Sequence, residues 1–151
     1  MIEIIDYTND HTESFKSLNL EWLDKYHLTE APDIEVLNDP QSTIIDKGGY
    51  IFLAKSGNDI IGSAALLQEG HNTWELAKMA VSPAFQGKGI SKLLIEKCLS
   101  KAKEMKAVKV TLFSNNQLQA ALQLYRNYGF VDIPVEDSPF QTADVKMELI
   151  F

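Results

Sequence analysis

Val81-Ser82-Pro83-Ala84-Phe85-Gln86-Gly87-Lys88-Gly89-Ile90-Ser91 is the stretch that decides how the rest of this chain is read. Trp74 to Val81 has the composition of a strand, and Pro83 stops it. Two glycines then make a turn, and a helix opens at once with Ile90, Leu93, Leu94, Cys98, Ala102 and Met105 on one side. The first N–H groups of such a helix have no partner within it. Together with the positive end of the helix dipole they suit a phosphate. Glycine serves such a turn twice, by adopting positive φ and by letting a ligand approach the backbone closely. The stretch is not a Walker loop, because the G-x-x-x-x-G-K-[ST] spacing is absent. It is not the dinucleotide fingerprint either, because Lys92 stands where the third glycine would fall.

Working outward, residues 2–6 predict a short first strand. Phe15, Leu18, Trp22, Leu23 and Tyr26 predict a helix over about 10–28, capped by Asp10 or Thr12 and ended by Pro32. A second helical piece is expected through Asp33–Leu37, resuming after Pro40 and stopping at Gly48-Gly49. Strands at Tyr50–Lys55 and 59–67 flank the hairpin signal Gly57-Asn58, and a fourth strand covers Trp74–Val81. Downstream, residues 108–113 predict a strand. Leu118, Ala121, Leu122 and Tyr125 predict a helix that starts near Asn116 and Gln119 and ends at Gly129. Phe130–Val135 and Ala143–Ile150 read as two closing strands. The expectation is one domain over residues 1–151 of mixed α/β class, with a central, mostly antiparallel sheet and helices on both faces.

Composition narrows the function. With 14 basic and 21 acidic residues the formal net charge is −7, which disfavours a nucleic-acid partner. The single cysteine, Cys98, leaves no internal disulfide and fits a reducing compartment; at mid-helix on the apolar side it reads as core. No apolar run of membrane-spanning length occurs, and Met1–Asp6 lacks the basic start of a secretory signal, so a cytoplasmic location is expected. His11, His27 and His71 are scattered without metal-ligand spacing, so no metal is expected. The charge is uneven. Glu21–Asp46 holds seven acids and one lysine; Lys88–Lys109 holds seven lysines and two acids. Either these are two solvated faces, or the chain meets an anion at one place and a cation at another.

Gln86-Gly87-Lys88-Gly89-Ile90-Ser91 resembles the Q/R-x-x-G-x-G/A signature of the GCN5-related N-acetyltransferases, the GNAT superfamily. Asn115…Ala121…Leu124-Tyr125…Gly129-Phe130 is similar to that family's N…A…LY…GF segment, and the order of elements matches over nearly the whole chain. Ser91 departs from the usual Gly or Ala, but it is small enough to keep the helix close to the sheet. The resemblance implies an N-acetyltransferase that moves the acetyl group of acetyl-CoA to a primary amine within a ternary complex. It implies that the backbone of Gly87, Lys88, Gly89, Ile90 and Ser91 holds the pyrophosphate, with Gln86 lining the loop. Met79 and Val81 would bond the pantetheine arm like an added strand. Lys88 and Lys92 would meet phosphates, or else are surface lysines. Asn115 would hold the pantetheine, with Asn116 as the alternative.

Tyr125 would be the general acid for the departing thiolate, or else a core tyrosine. Glu75, expected on the same strand face as Val81, would be the general base, or else a surface carboxylate. Trp22 and Tyr26, in the region where the family borders its acceptor pocket, are either core or an aromatic wall. A non-catalytic acyl-CoA-binding or sensory module on the same fold is the rival reading. The acceptor, small molecule or protein, is expected to be cationic from the acidic segment, and homodimers occur in the family.

Overall fold

The computed structural model describes residues 1–136 and 138–151. Its frame is a seven-stranded sheet in the order β1-β2-β3-β4-β5-β7-β6. The strands are β1 Ile2–Asp6, β2 Tyr50–Ser56, β3 Asp59–Gly70, β4 Thr73–Val81, β5 Lys109–Ser114, β6 Val131–Ile133 and β7 Val145–Ile150. Every pairing is antiparallel except β4 with β5. Helices α1 (Thr12–Lys25) and α2 (Ala31–Asn38) lie on one face; α3 (Ile90–Glu104) and α4 (Gln119–Asn127) lie on the other. The expected class and layering therefore hold.

The period-two pattern of the strands separates two cores. Phe15 of α1 and Leu37 of α2 pack on Ile51, Leu53 and Ala65. Leu94, Ile95 and Cys98 of α3, with Leu122 and Tyr125 of α4, pack on Phe52, Ala64, Leu66, Leu76, Leu112 and Met147. The end of α4 explains the Leu124-Tyr125…Gly129-Phe130 spacing. Gly129 has φ +99°; its N–H donates to the Arg126 carbonyl, and the Phe130 N–H donates to that of Tyr125. This is a Schellman closure, in which the residue after the glycine packs on the last turn. The Phe130 ring accordingly meets Tyr125 edge-on at 6.0 Å.

Several boundaries differ from expectation. α1 follows a 3₁₀ turn at Asn9–His11, so His11 is its N-cap in place of Asp10 or Thr12. The segment after Pro40 is a π turn, Gln41–Ile45. β6 and β7 are shorter than their apolar runs, β6 being followed by Pro134. No capping box forms at Asn116; Leu118 caps α4, and Gln119 Nε2 donates to the Asn116 carbonyl.

Candidate functional site

β4 and β5 are paired only where Thr73–Glu75 meets Lys109–Thr111. Beyond that point the two strands separate, and the β5-facing edge of Leu76–Val81 has no strand partner. A cavity of about 340 Å³ lies at the split. Glu75, Met79, Asn115 and Tyr125 line it together with Trp22, Asp33, Lys78 and Phe140. The sequence therefore named five residues that the fold brings to one space: Trp22, Glu75, Met79, Asn115 and Tyr125.

One expectation about their arrangement is corrected. Register runs Ser63 to Ala80 and Ala65 to Ala77, so β4 carries one extra residue and Lys78 and Met79 have no partner in β3. Lys78 sits at φ +53° and its carbonyl accepts a 2.6 Å hydrogen bond from the Ser63 hydroxyl. A bulge inverts the alternation of a strand. Glu75, opposite Leu67, thus faces α1 and α2, whereas Met79 and Val81 face α3 and α4. Glu75 and Val81 are on opposite faces of the sheet, not the same one.

Glu75 is neither a core residue nor a solvated edge carboxylate. Burial, then the Glu69 carboxyl and its charge, raise its pKa to about 8; the charges of Lys78 and Lys146 oppose the rise. Tyr125 is 7% exposed, and burial pushes its phenol well above the ordinary value. Among the described residues its hydroxyl has no hydrogen-bond partner. No fully buried side-chain polar atom of the described residues lacks one, so the hydroxyl reaches the cavity space. Cys98 is fully buried, with its thiol pushed up by burial, and reads as core.

The glycine turn has the form expected. Gly87 and Gly89 have φ +76° and +78°, and an added Cβ at either would meet nothing within 4 Å. The backbone N–H groups of Gly87, Lys88 and Gly89 donate to nothing among the described residues. Those of Ile90, Ser91 and Lys92 open α3, whose first intrahelical bond reaching back to the cap is Leu93 to Gly89. Gln86 ties the loop to the strand through a 3.3 Å hydrogen bond from Nε2 to the Val81 carbonyl. Lys88 and Lys92 are exposed, with Lys88 lying over the Phe85 ring at 5.2 Å. The residues present fit a coenzyme A: open donors and two positive charges at the turn, then an unpaired strand edge leading to the cavity.

Asn115 and Asn116 are also tied into the surrounding chain. Asn115 Nδ2 donates to the Thr142 carbonyl at 2.7 Å, and its Oδ1 accepts from the Gln117 N–H. The Asn116 N–H donates to Asp144. From the other side, the Glu30 carboxylate accepts the N–H groups of Gln141 and Thr142 and the Thr142 hydroxyl, which hold its pKa low. The segment around Phe140 is thereby pinned beside the cavity. Trp22 lines the cavity and Tyr26, its ring 5.4 Å away, does not. Sequence reading missed Lys78, Asp33, Glu69 and Phe140, none of which lies in a motif. Lys78 Nζ pairs with Asp33 Oδ1 at 2.5 Å, the side chains only 8% and 5% exposed, and lies 5.6 Å from the Phe140 ring centre.

Comparison with known proteins bears on the family and the fold. A family model described as "Acetyltransferase (GNAT) family" matches residues 11–130. The chain is 31% identical over 104 residues to the uncharacterized N-acetyltransferase YvbK of Bacillus subtilis, covering 67% of each chain. It is 26% identical over 111 residues to N-acetyltransferase 8 of Rattus norvegicus, covering 70% of this chain but half of that one. In fold it is similar to a GNAT-family acetyltransferase from Staphylococcus aureus, with a TM-score of 0.90 at 22% identity and 98% of both chains covered. The PaiA N-acetyltransferase of Thermoplasma acidophilum, solved in complex with coenzyme A, gives a TM-score of 0.79 at 18% identity, with 100% of this chain and 99% of that one covered. The chain belongs to the GNAT family of acetyltransferases.

Proposed function

We propose that this acetyltransferase moves the acetyl group of acetyl-CoA directly to a small primary amine that is cationic in solution and carried on an apolar body. The observation that supports it most is the single cavity at the β4–β5 split, which takes in Glu75 from one face and Tyr125 from the other. Bound acetyl-CoA would supply the activated acyl group as a thioester. The Gly87–Ser91 backbone would hold its phosphates, and the open β4 edge at Met79–Val81 its amides. The acceptor ammonium gives up two protons in all, one to solvent through Glu75 and one that ends on the thiol. The Met79 N–H, outside the β3 ladder, is the donor for the developing oxyanion in this reading.

Trp22, Leu28, Pro32, Val36 and Phe140 supply the apolar wall for the acceptor. Of the seven acids between Glu21 and Asp46, five are exposed, while Glu30 and Asp33 are already bonded. Charge therefore attracts the amine from a distance, and apolar surface selects it. A thiol-release assay on a panel of amines tests this. Arylalkylamines are expected to exceed polyamines and free amino acids at least about tenfold in kcat/KM, since one extra buried apolar group is worth about that. Preference for neutral or anionic acceptors at low salt overturns the cationic assignment. Stabilisation by CoA with no turnover of any amine would favour a binding module instead.

The cradle makes its own prediction. In Gly89→Val the Cβ meets no neighbour within 4 Å, but a β-branched residue must be held at φ +78° and fills the space a ligand would use. The Kd for CoA is expected to rise more than about tenfold, with a stability loss of about 1–2 kcal/mol. Calorimetric titration showing unchanged affinity would remove the turn from the site.

A further inference from the structure

Glu75 does not stand alone on its face of the sheet. Register between β3 and β4 shifts between Gln68 and Gly70, so Glu69 has no partner in β4 and is bulged out of the ladder. Its carboxyl reaches over toward Glu75 and helps raise the pKa of that group. Its other contact is with Thr111 of β5, whose hydroxyl donates to Glu69 Oε2 at 3.4 Å. β4 lies between β3 and β5, so the Glu69 side chain crosses over β4 to make that bond. Thr111 is the register partner of Glu75 and is 3% exposed. Glu75 lines the cavity, whereas Glu69 is exposed. Two carboxyl groups brought against the same buried hydroxyl are placed to share one proton. A continuous pair of carboxyls thus runs from the cavity wall to solvent, braced by one buried hydroxyl.

We propose that Glu69 is a positioning residue for proton release: it shares a proton with Glu75 and passes that proton to water, so the two carboxyls act as one relay from cavity to bulk. The proposal rests on Glu75 being the base of the reaction proposed above. The balance is simple. Glu75 as carboxylate takes H⁺ from the acceptor ammonium and becomes the acid. Glu69 as carboxylate takes H⁺ from Glu75 and restores it. Glu69 then loses H⁺ to water. No oxidant or further reactant enters. The other charged groups around the pair are Lys78 on β4, itself bonded to Asp33 of α2, and Lys146 and Glu148 on β7, with Lys109 of β5 held by Glu148 at 3.9 Å. Both Lys78 and Lys146 oppose the effect of Glu69 on Glu75, so removal of Glu69 leaves only the lysines and burial to act on it.

The test is a carboxyl-carbon NMR titration of the ligand-free protein, with pH–rate profiles of kcat, for the wild type, Glu69→Gln, Thr111→Val and Glu75→Gln. The wild-type midpoint of Glu75 is expected near about 8, with kcat rising as Glu75 ionises. In Glu69→Gln both midpoints should move down together by about one pH unit or more, with KM for acetyl-CoA unchanged. Thr111→Val keeps the volume and should give a smaller shift of the same sign. An unmoved Glu75 midpoint in Glu69→Gln overturns the shared proton. A wild-type kcat profile in Glu75→Gln overturns the base assignment and with it the relay, whereas the NMR titration still decides whether the two carboxyls are paired.

Discussion

Replacing Tyr125 by Phe is expected to lower kcat about 100-fold while leaving the Kd for CoA within about twofold. The change removes one oxygen and keeps the ring, so the edge-on contact with Phe130 and the Schellman closure of α4 persist. That oxygen has no hydrogen-bond partner among the described residues, so its loss orphans no buried group and folding stability should move by less than about 1 kcal/mol. Burial holds the phenol protonated throughout the working range, which makes it a donor and never a base. A neutral donor fixed in a cavity stabilises charge as it develops on a leaving sulfur, an interaction absent from the ground state. The expected signature is therefore a fall in kcat with the affinities intact. A merely structural tyrosine would leave kcat unchanged in this variant.

What the sequence disclosed and what it concealed divide along the range of the interactions. The Gly87–Gly89 turn and the Gly129-Phe130 closure are local: each is set by glycines at positive φ next to a helix end, and a reader of the sequence can place them to within a residue. The two helix-covered faces follow from periodicity in the same way. The face of Glu75 does not. Strict alternation from Trp74 to Val81 puts Glu75 and Val81 together, and no glycine marks the bulge that separates them. That bulge is held from afar, by the Ser63 hydroxyl on the Lys78 carbonyl and by Asp33 on the Lys78 ammonium. Asn115 shows the same limit. Its position matched a motif, but its bond to Thr142, a partner 27 residues away, is not readable from that motif. Glu69 was invisible because only its two cross-strand neighbours reveal what its bulge is for.

The Asp33–Lys78 pair should give the largest stability effect of any single substitution near the site. Asp33→Ala is expected to cost about 3–5 kcal/mol, because it strands a buried ammonium with no carboxylate beside it. A second loss adds to this. Asp33 Oδ2 accepts the Glu30 N–H at 3.0 Å and so closes the N-terminus of α2 from inside, a bond worth about 1 kcal/mol. One carboxylate therefore fixes α2 to the β4 bulge with one oxygen and finishes its first turn with the other. Pairing Asp33→Ala with Lys78→Met removes the orphaned charge, and the double variant should recover at least half of the loss in a denaturant titration. If Asp33→Ala alone costs less than about 1 kcal/mol, the pair is not carrying the packing of α2. The activity consequence separates the two ends of the cavity. Asp33, Pro32 and Val36 form its α2 wall, whereas the glycine turn lies outside it. The double variant should thus raise KM for the amine while the Kd for CoA stays unchanged, because the acceptor meets α2 and the phosphates meet α3.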